Sequence, residues 1–164
     1  MTGTPDSPAG AEMWQRGERA LWGVLTEGTE RRWAVYVEQL EALAELWGQT
    51  TMDKDDRRSM VADLMVQLRL KRGPAREMLR HAELLRSAVI REAAHSGVLS
   101  VEHLNVIDAT FKEAPVAERD KVEATLVENA ATFHGQKFEV LALRILQNLD
   151  QDATARLCCL NHSR

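Results

Sequence analysis

The chain has little of what punctuates or staples a fold. Its 164 residues include two cysteines, four prolines, nine glycines and a single tyrosine. The cysteines, Cys158 and Cys159, are neighbours. Adjacent thiols do not cross-link a fold, and they lack the two-residue gap of zinc and redox motifs. A disulfide scaffold is excluded, and a reducing cytoplasm is the expected compartment. No apolar run reaches the roughly 18 residues that span a bilayer. The opening "MTGTPDSPAGAE" has no basic segment followed by an apolar one. It therefore reads as a disordered lead over residues 1–10 rather than a signal peptide. β-branched and aromatic residues are too sparse for an extensive sheet.

What remains is rich in Ala, Leu, Glu and Arg, with 45 % hydrophobic residues. That mixture favours helices over strands and a folded chain over a disordered one. The expectation is one all-α domain over residues 11–150, a multi-helix bundle with an embedded helix-turn-helix-like pair. A flexible tail over 151–164 follows it.

Apolar residues at three- and four-residue spacing place the helices. The first is expected from about Ala11 to Thr26, with Trp14, Leu21, Trp22 and Leu25 on one side. The second carries Trp33, Tyr36, Val37, Leu40, Leu43, Ala44 and Trp47, and Gly48 ends it. "QTTMDKDDRRS" reads as a polar connection. The third spans about Arg58 to Leu68. Pro74 suits the first turn of a fourth, long helix, because its missing amide is one that a first turn leaves unbonded. Ala75, Met78, Leu79, Ala82, Leu85 and Val89 form its stripe, and Gly97 closes it. A fifth begins after Ser100, whose hydroxyl suits an N-cap, and Glu102 then meets the positive end of the helix dipole. Pro115 opens a sixth and Phe138 to Leu149 mark a seventh.

Three constellations carry chemical meaning. The first is basic. From Gln67 to Arg91 stand Arg69, Lys71, Arg72, Arg76, Arg80, Arg86 and Arg91 against Glu77 and Glu83, a local charge of +5 in a chain of net −4. Arg72, Arg76 and Arg80 recur every four residues, on one flank beside the apolar stripe. Guanidinium groups so placed, on a short helix, turn and second helix, suit the phosphates or guanine edges of duplex DNA. Basic runs are also commonly just solvated helix faces. The second constellation is the histidines at 81, 95, 103, 134 and 162. None pairs with another ligand at metal spacing except loosely Cys158, Cys159 and His162, and a closed zinc site needs four ligands. No paired carboxylates, glycine-rich phosphate loop or nucleophile elbow stands out, so no enzyme activity, metal or cofactor is expected. The third is Trp14, Trp22, Trp33 and Trp47 on the first two helices. They suit core packing first and a protein-binding or self-association surface second.

A resemblance sharpens this. "GVLSVEHLNVIDATFKEAP" is similar to the G-x-L-S-x-E-H motif of the actinobacterial family termed domain of unknown function 222. Upstream, "LRLKRGPAREMLRHAELL" resembles its L-x-[LV]-S-x-x-x-A-x-x-x-[LV]-x-x-A-x-x-L segment. Downstream, "VEATLVENAATF" and "LALRILQNLDQDA" resemble its paired helices and its closing L-D-P-D-G. The resemblance covers about residues 33 to 153 and is tightest at Gly97, Leu99, Ser100, Glu102 and His103. Lys71 stands where the family prefers a serine cap, and "LDQDA" lacks the Pro and Gly of the closing motif.

The family domain usually precedes an HNH endonuclease domain and occurs in repetitive mycobacterial element proteins. After the closing motif this chain has no room for such a nuclease, so nuclease activity is not carried over. The association implies target recognition on DNA. The motif itself reads as a corner, with Glu102 or His103 bonding across it in a structural role. The expected function is non-catalytic binding of duplex DNA through Arg69, Lys71, Arg72, Arg76 and Arg80. The rival readings are a protein-interaction module docking on a separate HNH nuclease or other partner through the N-terminal helices, and an inactive mobile-element remnant.

Overall fold

Gly28 does not interrupt the chain. In the computed structural model, which describes residues 17–48 and 53–161 (backbone only beyond 150), the first two expected helices are one, α1, Glu18–Gly48. Gly23 and Gly28 each cost roughly 1 kcal/mol relative to Ala in a helix interior. Neither adopts a positive φ, and no proline intervenes. The hydroxyls of Thr26 and Thr29 donate back to the carbonyls of Trp22 and Leu25 at 2.9 and 2.8 Å, so those residues do not compete for a turn. The proposed position of Trp14 lies outside the described residues.

α2 is Lys54–Gln67, four residues earlier than the spacing of its apolar residues suggested. Its start is set by a capping box: Asp53 accepts from the amides of Asp55 and Asp56 at 2.7 and 2.9 Å, and Asp56 accepts from the amide of Asp53. The return to α3, Arg72–Leu84, is four residues long. Within it Arg69 takes a left-handed φ of 53°. Lys71 stands at the N-cap of α3 with no side-chain cap, as its replacement of a serine implied.

The long fourth helix divides. α3 ends at Leu84 and α4, Ala88–His95, follows a short turn. Ser87 causes the restart: its Oγ accepts from the amide of Ile90 at 3.4 Å and donates to Glu123 at 2.8 Å, which anchors the new helix to α6. α4 closes where expected. The amide of Val98 donates to Ala93 O and that of Gly97 to Ala94 O, both at 3.2 Å. Gly97 takes φ +76°, which costs glycine nothing and any other residue about 1–2 kcal/mol.

α5 is Val101–Glu113, a single 3₁₀ turn spans Val116–Glu118, α6 is Arg119–Ala130 and α7 is Gln136–Asn161. α7 continues eleven residues past Asp150, where a tail was expected. Among the described residues there are seven α-helices and no strand, an all-α bundle. α3 lies between α1, α2 and α5; α5 in turn packs on α6 and α7. The core joins Leu40 and Val37 of α1, Leu85, Ile90, Leu104, Ile107, Leu126 and Phe138, all essentially inaccessible to solvent. Each such aliphatic side chain contributes on the order of 1.5–3 kcal/mol by leaving water. Two tryptophans fasten α1 to this core. Trp33 Nε1 donates to Ala94 O of α4 at 2.8 Å, and Trp47 Nε1 to Glu83 of α3 at 3.3 Å.

A cationic groove between two helices

α2 and α3 pack against each other, and the channel between them is lined with positive charge. Lys54, Arg57 and Arg58 enter from α2; Arg72, Arg76 and Arg80 enter from α3. Val61, Ala62, Met65 and Leu79 complete the lining of a groove of about 580 Å³. The periodicities explain the layout. Residues 54, 57, 58 and 61 share one side of α2, and residues 72, 76 and 80 share one side of α3.

The six cations differ in their partners. Arg58 pairs with Asp55 at 3.5 Å, on a surface where both are largely exposed. Arg57 lies 5.5 Å from the centroid of Trp47 and pairs with Glu83, which also accepts from Trp47 Nε1. That cluster pins α1, α2 and α3 at one end of the groove. Arg80 lies 3.0 Å from Asp108 of α5, through its buried Nε, in a charge contact without hydrogen-bond alignment. Lys112 meets the same carboxylate at 2.7 Å. Lys54, Arg72 and Arg76 are exposed and make no ion pair among the described residues.

This arrangement divides the basic segment that the sequence presents as one run. The three α3 arginines do not all reach solvent alike, because Arg80 is only 33 % exposed and points toward α5. The basic segment is also shorter than its charge count implied. Arg86 lies past the end of α3, and Arg91 belongs to α4, where its Nε donates to Leu85 O at 3.0 Å. Arg69 and Lys71 lie exposed on the α2–α3 turn, outside the lining of the groove. Lys54, Arg57 and Arg58 were missed, because their segment read as a connection. The signal was present in "DKDDRR", an Asp at the N-cap and an Asp three residues on, followed by two arginines.

A second groove, about 480 Å³ between α5 and α7, has the opposite polarity. Glu102, Glu113 and Glu139 line it together with Val106, Ala142 and Leu143. It repels phosphate and cannot extend the basic surface.

Behind the cationic groove, the inner face of α3 carries His81, fully buried. Its Nδ1 accepts from the Tyr36 hydroxyl and its Nε2–H donates to Asn105 Oδ1, both at 2.9 Å. Burial holds the imidazole below its ordinary pKa, against smaller opposing effects of Asn105 and Glu77. Burial, with Glu77, pushes the Tyr36 phenol up to about 12. Both groups are thus neutral, and they join α1, α3 and α5 beneath the arginines.

The Gly97–His103 corner has the structural role expected of it, carried by His103 and not by Glu102. Ser100 caps α5 by accepting from the amide of His103 at 3.3 Å. The imidazole Nδ1 accepts in return from the Ser100 amide at 3.1 Å, and Nε2–H donates to Phe133 O at 2.8 Å. Phe138 packs edge-on at a centroid distance of 4.6 Å. Every polar atom of the ring is occupied within the fold.

These are features of an all-α bundle that gathers six cations along the α2–α3 groove and holds the buried His81 and His103 in structural roles. A family model described as Domain of unknown function (DUF222) matches residues 25–158, and the chain belongs to that family. No curated protein and no solved structure matches it. Among the described residues no three His, Cys, Asp or Glu side chains cluster to hold a metal ion, and no helix is long and apolar enough to cross a membrane.

Proposed function

We propose that the chain is a non-catalytic domain that binds duplex DNA through the α2–α3 face, with the phosphate backbone as its main contact. One observation carries this reading: six cations from two packed helices line one open groove, and three of them have no carboxylate partner among the described residues. Concentrating like charges costs free energy unless an anion relieves it, and DNA supplies about one phosphate charge per 1.7 Å of its axis. Arg72 and Arg76 supply planar, forked donors suited to phosphate oxygens. Lys54 lies on the opposite wall, and Arg69 and Lys71 extend the row along the turn. The association of the family with HNH nucleases makes DNA the natural polyanion for such a surface.

Titration of a labelled duplex at several salt concentrations tests it. With three to five cations engaged, log affinity falls against log salt with a slope of roughly −3 to −4.5. Absence of binding at low salt overturns the proposal.

A further inference from the structure

The first half of α1 stands clear of the bundle. The first residue of this helix to be buried is Val37, and Trp33 is the first to reach another helix by a hydrogen bond, to Ala94 O. Before it, fifteen residues, Glu18–Arg32, form a helical arm about 22 Å long. It is not polar on all sides. Trp22 is 62 % exposed, Leu25 60 % and Val24 42 %. Isolated exposed apolar residues are ordinary, but three within one turn of a projecting helix form a patch with nothing on it among the described residues.

The arrangement of that patch identifies what fits it. At 100° per residue, Glu18, Leu21, Leu25, Gly28 and Arg32 fall within an arc of roughly 80°. Trp22 and Val24 flank it on either side. The spacing of Leu21, Leu25, Gly28 and Arg32 is four, three, four, which is that of a coiled-coil seam. Turned end for end about Leu25, this face complements itself. Leu21 lies opposite Thr29 and next to the bare backbone of Gly28, where the absence of a side chain permits close approach. Glu18 lies beside Arg32. Neither Glu18 nor Arg32 makes an ion pair among the described residues, and Arg32 has only the Thr29 hydroxyl, at 3.3 Å. The overlap also ends where it must. Glu18 of one copy reaches Arg32 of the other, one residue short of the point at which Trp33 meets α4.

We propose that the arm pairs with the same arm of a second copy, antiparallel, with Leu25 at the two-fold axis. A helix pair of this length lies at or below the small end of stable interfaces, which bury about 1,200–2,000 Å². The dimer therefore dissociates on dilution. The pairing is independent of the basic groove, which lies on other helices.

Sedimentation velocity over a concentration series tests this, with circular dichroism to confirm that each variant is folded. The parent shifts from monomer to dimer as concentration rises. Leu25→Glu places two carboxylates at the axis and weakens association about tenfold or more. Glu18→Arg alone and Arg32→Glu alone each weaken it as well, and the double exchange restores it. Positions 18 and 32 are fourteen residues apart on one straight helix, so restoration arises only between chains in antiparallel order. A parent that stays monomeric at all concentrations overturns the proposal. So does a dimer unaffected by Leu25→Glu, or one that the double exchange fails to restore, as a parallel pair would.

Discussion

Arg80 Nε lies 3.0 Å from Asp108 Oδ2, and this contact between α3 and α5 makes the three evenly spaced arginines of α3 unequal. Arg72 and Arg76 stand in solvent with no ion pair among the described residues, whereas Arg80 shares in holding two helices together.

Substitution separates the two roles. Arg72→Gln with Arg76→Gln leaves stability within about 0.5 kcal/mol of the parent, as surface changes do. The pair lowers duplex affinity and flattens the salt slope by about two contacts. Arg80→Gln costs about 1 kcal/mol, because Asp108 is left half-buried with Lys112 alone. Urea denaturation and DNA titration of the same variants check both halves.

On the opposite wall the same contrast holds between Lys54 and Arg57. Lys54→Gln weakens DNA binding by about one contact and leaves stability unchanged. Arg57→Gln removes the cation over Trp47 and the partner of Glu83, and lowers stability by about 1 kcal/mol. If Lys54→Gln leaves the salt slope as it was, the groove's α2 wall does not touch DNA.

Stability depends on pH through His81 and Tyr36. The folded state depresses the pKa of His81 below its ordinary 6.5. The unfolded chain therefore binds the proton first as the solution is acidified. The stabilisation is complete above about pH 6.5 and is lost as pH falls from there through the depressed folded value. Tyr36 acts at the other end. Its pKa is raised from 10.0 to about 12, so the unfolded chain ionises first and stability falls between those two values. Urea midpoints measured at pH 5, 7.5 and 11 show the loss on both sides. His81→Leu removes its share of the acid dependence and lowers stability at neutral pH, since the Tyr36 hydroxyl and Asn105 lose their partner. Tyr36→Phe reduces the alkaline loss.

Two left-handed residues respond oppositely to substitution. Gly97 has φ +76° and open space where a Cβ would stand, so Gly97→Ala is opposed by backbone conformation alone and costs about 1–2 kcal/mol. Arg69 already bears that strain at φ 53°. Arg69→Gly relieves it and, after the larger entropy of the unfolded chain is set against the gain, raises stability by about 0.5 kcal/mol. Thermal denaturation of the two variants checks the signs.

Local chemistry was legible wherever a residue acts on its own neighbours. The left-handed Gly97, the Ser100 cap, the buried stripe of Ala75, Met78, Leu79 and Ala82, and the all-α class all follow from spacing and backbone preference over a few residues. So did half of the groove, because Arg72, Arg76 and Arg80 recur on one helix. The start of α2 was legible too, but in the carboxylates of its capping box and not in its apolar period, so Lys54, Arg57 and Arg58 went unread.

Other features had no local cause. Helix propensity alone does not say whether a chain passes through Gly28 or divides at Ser87; the first costs only about 1 kcal/mol, and the second depends on Glu123, 36 residues away. The same holds for the arginines. Sequence determined their number and period, but charge does not specify its own counter-ion. Only the packing of α5 against α3 brought Asp108 to Arg80 and left Arg72 and Arg76 facing solvent, because the distance between charges from separate helices is set by how the core joins those helices.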